Sequence, residues 1–212
     1  FGEIGSTVGS GLRNAGLESV AAYDKFAFDG PFSELIQERA RKSGVVLVRS
    51  NQELADAADV IFSATPGSAS VASAASFAHC LTARHVFVDF ASATPKIKQT
   101  VAERLASTGA LLGDGSIEGT PLQGYSMTML SSGPAGARIR DHLNPWGMKI
   151  EFVGEELGTA SGIKILRSVL IKGIEALHDE MLLAARRYGV ADRVLASASK
   201  TLACLLYTSP SP

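Results

Sequence analysis

Phe1-Gly2-Glu3-Ile4-Gly5-Ser6-Thr7-Val8-Gly9 opens the chain and decides its fold. The stretch reads as a G-x-G-x-x-G turn whose first glycine and preceding strand lie just upstream of residue 1. Glycine at Gly2 and Gly5 removes the Cβ atoms that would hold the backbone away from a pyrophosphate, and lets the following helix pack tightly on its strand. Free N–H groups at that helix's N-terminus then favour an anion. Small-residue turns entering helices are common in α/β proteins, so this one takes its meaning from the segment after the helix. The apolar run Ser19-Val20-Ala21-Ala22-Tyr23 ends in Asp24, about 20 residues past the glycines, where an acid accepts hydrogen bonds from a ribose 2′-hydroxyl. Gly2, Glu3, Ile4, Gly5 and Asp24 are therefore the first candidates for holding a dinucleotide cofactor. NAD is expected over NADP, because a carboxylate repels a 2′-phosphate; the neighbouring Lys25 leaves NADP possible.

Downstream, short apolar runs alternate with helical stretches, the pattern of a parallel sheet with crossover helices. Helices are expected over 6–15, 33–42 and 96–107, and strands over 45–48, 59–64, 85–90 and 110–113, with added strands over 126–131 and 149–153. Ser50-Asn51-Gln52-Glu53 reads as a capping box, Ser50 and Glu53 each satisfying a backbone N–H of the other's residue. Strands 59–64 and 85–90 run into Thr65-Pro66-Gly67 and Ala91-Ser92-Ala93-Thr94-Pro95. Ligands of open parallel sheets bind beyond the carboxyl ends of strands, so Thr65, Pro66 and Ser92 are expected on the nicotinamide side. The plainer reading of the same residues is turn chemistry, since Thr, Ser and Pro also start helices for local reasons. Asp114-Gly115-Ser116-Ile117-Glu118-Gly119-Thr120-Pro121, rich in glycine and small polar groups, reads as a loop suited to a substrate rim.

Composition narrows the partners. A chain of 212 residues that is 46% hydrophobic has ample material for a core, enough for one large domain or one and part of a second. A net charge of −1, with Lys and Arg scattered, supplies no field for nucleic acid or an anionic membrane surface, which leaves a small molecule as the partner. The longest uncharged stretch, 60–83, is interrupted by Pro66, Gly67, His79 and many serines and does not suit a spanning helix. Cys80 and Cys204 form neither a metal spacing nor a disulfide framework, so no metal is expected and a reducing cytoplasm is the default. No secretory signal is visible, although one could precede residue 1.

From Thr159 the pattern changes. Ile163, Leu166, Leu170, Ile174, Leu177 and Met181 recur at three- and four-residue spacing, one apolar stripe along a helix reaching to about Tyr188 at 3.6 residues per turn. Lys164 and Ser168 share a face at the margin of the stripe, with Lys172 a turn further on. Gly173 inside a helix suggests close approach of another helix. The expected organisation is a dinucleotide-binding domain over 1–155, the start of a helical domain over 156–203, and a tail over 204–212 that resembles translated adapter sequence and is set aside as non-native.

Three segments together resemble the β-hydroxyacid dehydrogenase family, which includes 3-hydroxyisobutyrate and 6-phosphogluconate dehydrogenases. Phe1-Gly2-Glu3-Ile4-Gly5 is similar to the family's G-x-G-x-M-G loop, Val88-Asp89-Phe90-Ala91-Ser92-Ala93-Thr94-Pro95 to its V-D-x-S-T-x-S-P segment, and Gly158-Thr159-Ala160-Ser161-Gly162-Ile163-Lys164 to its G-x-G-x-x-x-K helix start. The stretch from Lys164 to Gly173 is most similar to a less characterised branch with its own helical C-terminal domain. The resemblance implies an α/β fold, a Rossmann-type doubly wound parallel sheet followed by the start of an all-helical domain. It also implies NAD or NADP as cofactor and hydride transfer between nicotinamide and a small hydroxy-acid-like alcohol.

Residue by residue, the resemblance carries over unevenly. Lys164 falls on the family's catalytic lysine. Removing hydride from a carbinol carbon requires the hydroxyl proton to leave, and a lysine that gives up its own proton readily can take it or return it; a solvated lysine at a helix margin is the plainer alternative. Ser92 matches a cofactor-contacting position. Ser116, with Gly115 beside it, falls where the family binds the substrate carboxylate, but Ile117 and Glu118 replace the usual glycines, and an acid there repels an anionic substrate unless it points away. Ser168 stands where many members carry an amide, and offers fewer donors. The family's helical domain holds more helices than 159–203 supply, so the chain reads as a piece lacking both ends and inactive as it stands, with a homo-oligomer expected of the whole protein. Two other functions stay open: an imine or enamine reductase of the same fold, in which another proton donor usually replaces the lysine, and a non-catalytic dinucleotide-sensing protein.

Overall fold

A computed structural model describes the backbone of residues 1–208 and side chains as far as Leu202. It divides into two compact units, Phe1–Ile165 and Leu166–Pro212. The first unit runs α1 (Glu3–Asn14), β1 (Ala21–Tyr23), α2 (Ser33–Ser43), β2 (Val46–Val48), α3 (Asn51–Ala57), β3 (Val60–Ser63), α4 (Ser70–Ala75), β4 (Val86–Asp89), α5 (Pro95–Leu105), β5 (Leu111–Ile117), β6 (Thr128–Ser132), α6 (Gly136–Leu143) and β7 (Lys149–Phe152). The long helix α7 (Thr159–Arg187) begins in it, and α8 (Ala191–Thr208) belongs to the second.

This is the Rossmann-type α/β fold followed by helices, with two departures from a single parallel sheet. β1 and β2 pair as a separate parallel ribbon, and the five-stranded sheet runs in the order β3-β4-β5-β6-β7. Within it β5 and β6 are antiparallel, Asp114 opposite Ser132 and Ile117 opposite Met129. The connection between them holds only a short 3₁₀ segment, Pro121–Ser126, and no crossover helix of the kind a parallel pair needs. Val8 and Leu12 of α1 join the core against β4, β6 and β7, while Phe1, just before that helix, joins Ile36, Ala40 and Val45 under β1 and β2.

Strand β4 is buried on both faces, as its unbroken apolar run demands. Successive side chains point opposite ways, so Val88 enters the core with Met129 and Ile139 while Phe87 packs with Val101 and Leu105 of α5 on the other side. The turn chemistry sits where local rules put it. Thr94 caps α5 by accepting the Ile97 N–H at 3.4 Å, with Pro95 at the first helical position. At α3 Ser50 accepts the Glu53 N–H at 3.1 Å, but Glu53 takes its reciprocal bond from Arg49 N–H at 2.7 Å, one residue earlier than the capping box predicts. Cys80 is buried, its thiol donating to the Phe77 carbonyl at 3.3 Å; burial, and then the charge of Asp56, push its pKa up, so it packs as a small apolar group.

In the second unit the apolar stripe of α7 is present as expected, and Leu166, Leu170 and Leu177 on it are exposed among the described residues. Among the described residues, the close neighbour expected at Gly173 is not found, since nothing outside its own helix backbone lies within 4 Å of where its Cβ would stand. The helical backbone of α8 continues through 204–208, which the apolar pattern places beyond it; Ser209–Pro212 of the expected tail lie outside the described residues. No helix among the described residues is long and apolar enough to cross a membrane.

Candidate active site

A cleft of about 280 Å³ opens at the carboxyl ends of β3 and β4, lined among others by Ile4, Thr65, Ser92, Ile117, Gly119 and Lys164, all within the first unit. Each wall has a local cause. Ile4 stands in the first turn of α1, whose N-cap is Gly2 and which has no side-chain cap, so its leading N–H groups take no bond from a neighbouring side chain. Thr65, Pro66 and Gly67 follow β3 directly, and Phe90 and Ser92 follow β4. Phe90 stacks on Phe62 with ring centroids 4.0 Å apart and planes 13° off parallel, which fixes the apolar side of the cleft.

The two loops touch backbone to backbone. A Cβ at residue 67 would stand 2.1 Å from the carbonyl oxygen of Ser92, so only glycine lets them approach. Gly67→Ala is expected to cost about 1–3 kcal/mol by overpacking and to weaken dinucleotide binding as the loops part. Urea unfolding with a dinucleotide titration checks this, and an Ala variant unchanged in both would show that the loops are not held together.

The Thr65 hydroxyl oxygen is buried without a hydrogen-bond partner among the described residues. Such a group costs about 1–3 kcal/mol when left unsatisfied, and in a cleft its natural partner is a polar atom of a ligand. Together with the uncapped start of α1, that is the donor and acceptor set a nicotinamide dinucleotide asks for.

Of the residues singled out in the sequence, Ile4, Thr65, Pro66, Ser92 and Lys164 line this one cleft. Gly2, Glu3 and Gly5 lie beside it at the start of α1; the Cβ position of Gly2 faces open space and that of Gly5 stands 3.5 Å from the Phe1 ring. Asp24, just past β1, stands beside Phe1 and accepts the Phe26 N–H at 2.9 Å, which sets it next to the glycine turn. Gly115 and Ser116 are not in a rim loop. Residues 114–117 continue β5, where alternation turns Ile117 to the cleft and buries Ser116, 2% exposed, with its hydroxyl donating to Glu118 Oε1 at 3.2 Å. Ser168 belongs to the second unit and is half-buried.

Beneath the cleft lies a charge network that the sequence reading missed. Lys98 of α5 is 2% exposed, and its ammonium reaches Asp89 Oδ2 at 3.0 Å, Asp114 Oδ1 at 3.5 Å, the Gly115 carbonyl at 3.4 Å and the carbonyl of Asp89. Asp89 Oδ2 also accepts the Ser70 hydroxyl at 2.6 Å, and Asp89 Oδ1 the Ala91 N–H at 3.2 Å. Asp114 accepts the Ser161 N–H at 2.8 Å and the Ser161 hydroxyl at 2.5 Å, while Ser132 donates to Asp114 and accepts the Ala160 N–H at 3.0 Å. The N–H groups of Ala160 and Ser161 in the first turn of α7 are thus capped from β6 and β5. A signal for Lys98 was available: it sits on the same face of α5 as the buried Val101 and Leu105, where a solvated lysine has no place.

A doubly wound dinucleotide fold with polar side chains gathered at its strand ends defines the class as Rossmann-type, the architecture of nicotinamide-dependent oxidoreductases. No family model matches the chain. A conserved hypothetical protein from Sinorhizobium meliloti 1021 superimposes with a TM-score of 0.79 at 36% identity, over 95% of this chain and 67% of that one. The conserved protein MTH1747, of unknown function and described as structurally similar to 3-hydroxyacid dehydrogenases, gives 0.80 at 29% identity, over 96% of this chain and 74% of its own. The chain belongs to the β-hydroxyacid dehydrogenase-like family. An imine reductase from Aspergillus terreus, solved with NADPH4, shares the fold with a TM-score of 0.81 at 17% identity, over 97% of this chain and 71% of its own. An uncharacterized 28.5 kDa protein of Methanothermus fervidus is 23% identical over 195 residues, 92% of this chain and 72% of its own.

Proposed function

We propose that the protein is an NAD(P)-dependent oxidoreductase that transfers a hydride between nicotinamide and a small hydroxy-acid-like alcohol, with Lys164 as general acid and base. The observation that carries this reading is the cleft itself, which gathers Lys164, Ser92 and the unsatisfied Thr65 hydroxyl beside the start of α1. Support comes also from the likeness of MTH1747 to 3-hydroxyacid dehydrogenases and from the NADPH-bound Aspergillus reductases.

The bound nicotinamide supplies the hydride chemistry, and the protein supplies position and proton transfer. The leading N–H groups of α1 hold the pyrophosphate, approached closely because Gly2 and Gly5 carry no side chain. Thr65, Pro66 and Ser92 hold the nicotinamide end, Thr65 gaining the hydrogen bond it otherwise lacks. Phe90 and Ile117 keep water from the reacting carbon. When the alcohol loses its hydride, Lys164 Nζ takes the hydroxyl proton, and in the reverse direction returns it.

Appearance of NADH with a panel of small hydroxy acids tests the reaction. Tight dinucleotide binding with no turnover would point to a sensor, and reduction of cyclic imines without any hydroxy-acid oxidation would overturn the alcohol assignment. The cofactor is expected to be NAD in preference to NADP, since Asp24 accepts from a 2′-hydroxyl and repels a 2′-phosphate. Lys25, its ammonium 4.7 Å from the centre of the Phe26 ring, is engaged with that ring. Titration of both dinucleotides decides the point, and tighter NADP binding would reverse it.

A further inference from the structure

We propose that Lys98 is the positioning residue of the active site, a buried ammonium that holds four of the five cleft-forming segments, all but the start of α1, in register through Asp89 and Asp114. The inference rests on the hydride-transfer reading for its consequence and on the contacts alone for its substance. Each of these four walls is one short step from this ammonium. The Thr65–Gly67 wall is tied through Ser70, whose hydroxyl donates to Asp89; the Phe90–Ser92 wall follows Asp89 directly. Ile117 and Gly119 follow Asp114 and Gly115, both of which contact Lys98. Lys164 stands one turn beyond Ser161, whose N–H and hydroxyl both bond to Asp114.

The chemistry explains why a lysine serves here. An ammonium carries three donors on a compact point charge, enough to gather two carboxylates and the carbonyls of Asp89 and Gly115 from different strands. Each carboxylate is paired with this ammonium and further bonded to N–H or hydroxyl donors, Asp114 at the positive end of α7 as well. None of these side chains reaches the cleft, so Lys98 acts through others: it sets where Lys164 and Ser92 stand and takes no part in proton transfer.

Amide exchange of the whole protein tests the linkage without relying on activity. Lys98→Met is expected to speed exchange by about tenfold or more in 63–70, 89–92, 114–119 and 158–165 together, leaving α6 and β7 unchanged. Acceleration confined to α5, or spread evenly over the first unit, would overturn the proposal. Should that variant fail to fold, Ser161→Ala removes one bond only and is expected to loosen 114–119 and 158–165 while 63–70 stays protected; no change at 158–165 would overturn it equally. In turnover assays Ser161→Ala should lower kcat by about tenfold with KM and dinucleotide Kd within about twofold, and Ser161→Thr, which keeps the hydroxyl, should restore it. A protein that turns over no hydroxy acid defeats the proposed reaction, and the exchange pattern still decides the role of Lys98.

Discussion

Lys164→Ala is expected to lower turnover by about 10²-fold or more while dinucleotide affinity stays within about twofold. The asymmetry follows from where the side chain stands. Lys164 lines the cleft through the first turns of α7, whereas the pyrophosphate is proposed to bind at the start of α1. Lys164→Arg separates the two things a lysine can do. A guanidinium keeps the positive charge but does not give up its proton, so an arginine that only had to attract an anionic substrate would work and one that had to shuttle a proton would not. Both variants are therefore expected to be comparably inactive, as measured by hydride transfer at saturating dinucleotide. An active Arg variant would reassign Lys164 to substrate binding, and an active Ala variant would leave it a solvated lysine.

Lys98→Met is expected to remove about 3–5 kcal/mol of stability, the scale for stripping a buried charge pair of one partner. Methionine fills the space, so the loss arises from Asp89 and Asp114, about 1% and 0% exposed, left facing each other without their cation. An exposed pair such as Lys42 with Glu38, at 2.7 Å, offers a control: solvent screens it, and its removal should barely move the unfolding midpoint. Because a domain of this size is stable by only about 5–15 kcal/mol, the Lys98 variant should unfold at markedly lower urea. Adding Asp114→Asn to Lys98→Met should recover part of the loss, since an amide still accepts the Ser161 N–H without an uncompensated charge. No recovery in the double variant would mean that the two sites are not coupled.

Much of this was legible in the chain. The glycine turn, the apolar strands over 59–64 and 85–90, and the long stripe after Thr159 are local patterns with a single period each, and they specify the elements that the structure contains. The cleft residues that follow strand ends, Thr65 and Ser92, were readable by the same logic. What was not legible depends on contacts between distant segments. Gly115 and Gly119 made 114–117 read as loop, yet β5 continues through Ile117; a Cβ at 113 would press on Val88 and Ala135 and one at 115 would strike the Phe90 ring. Those glycines mark crowding, which sequence alone does not distinguish from turning. Asp114 looked like a loop acid for the same reason, and its role as the cap of α7 joins residues 47 apart in the chain.

The boundary between the two units falls after Ile165, one residue beyond Lys164. The Rossmann-type domain, its buried network and the lysine proposed for proton transfer are consequently encoded as one uninterrupted stretch. A recombination event or an exon junction placed after that point would pass the chemical machinery on intact, as a heritable cassette, while everything beyond it is free to diverge.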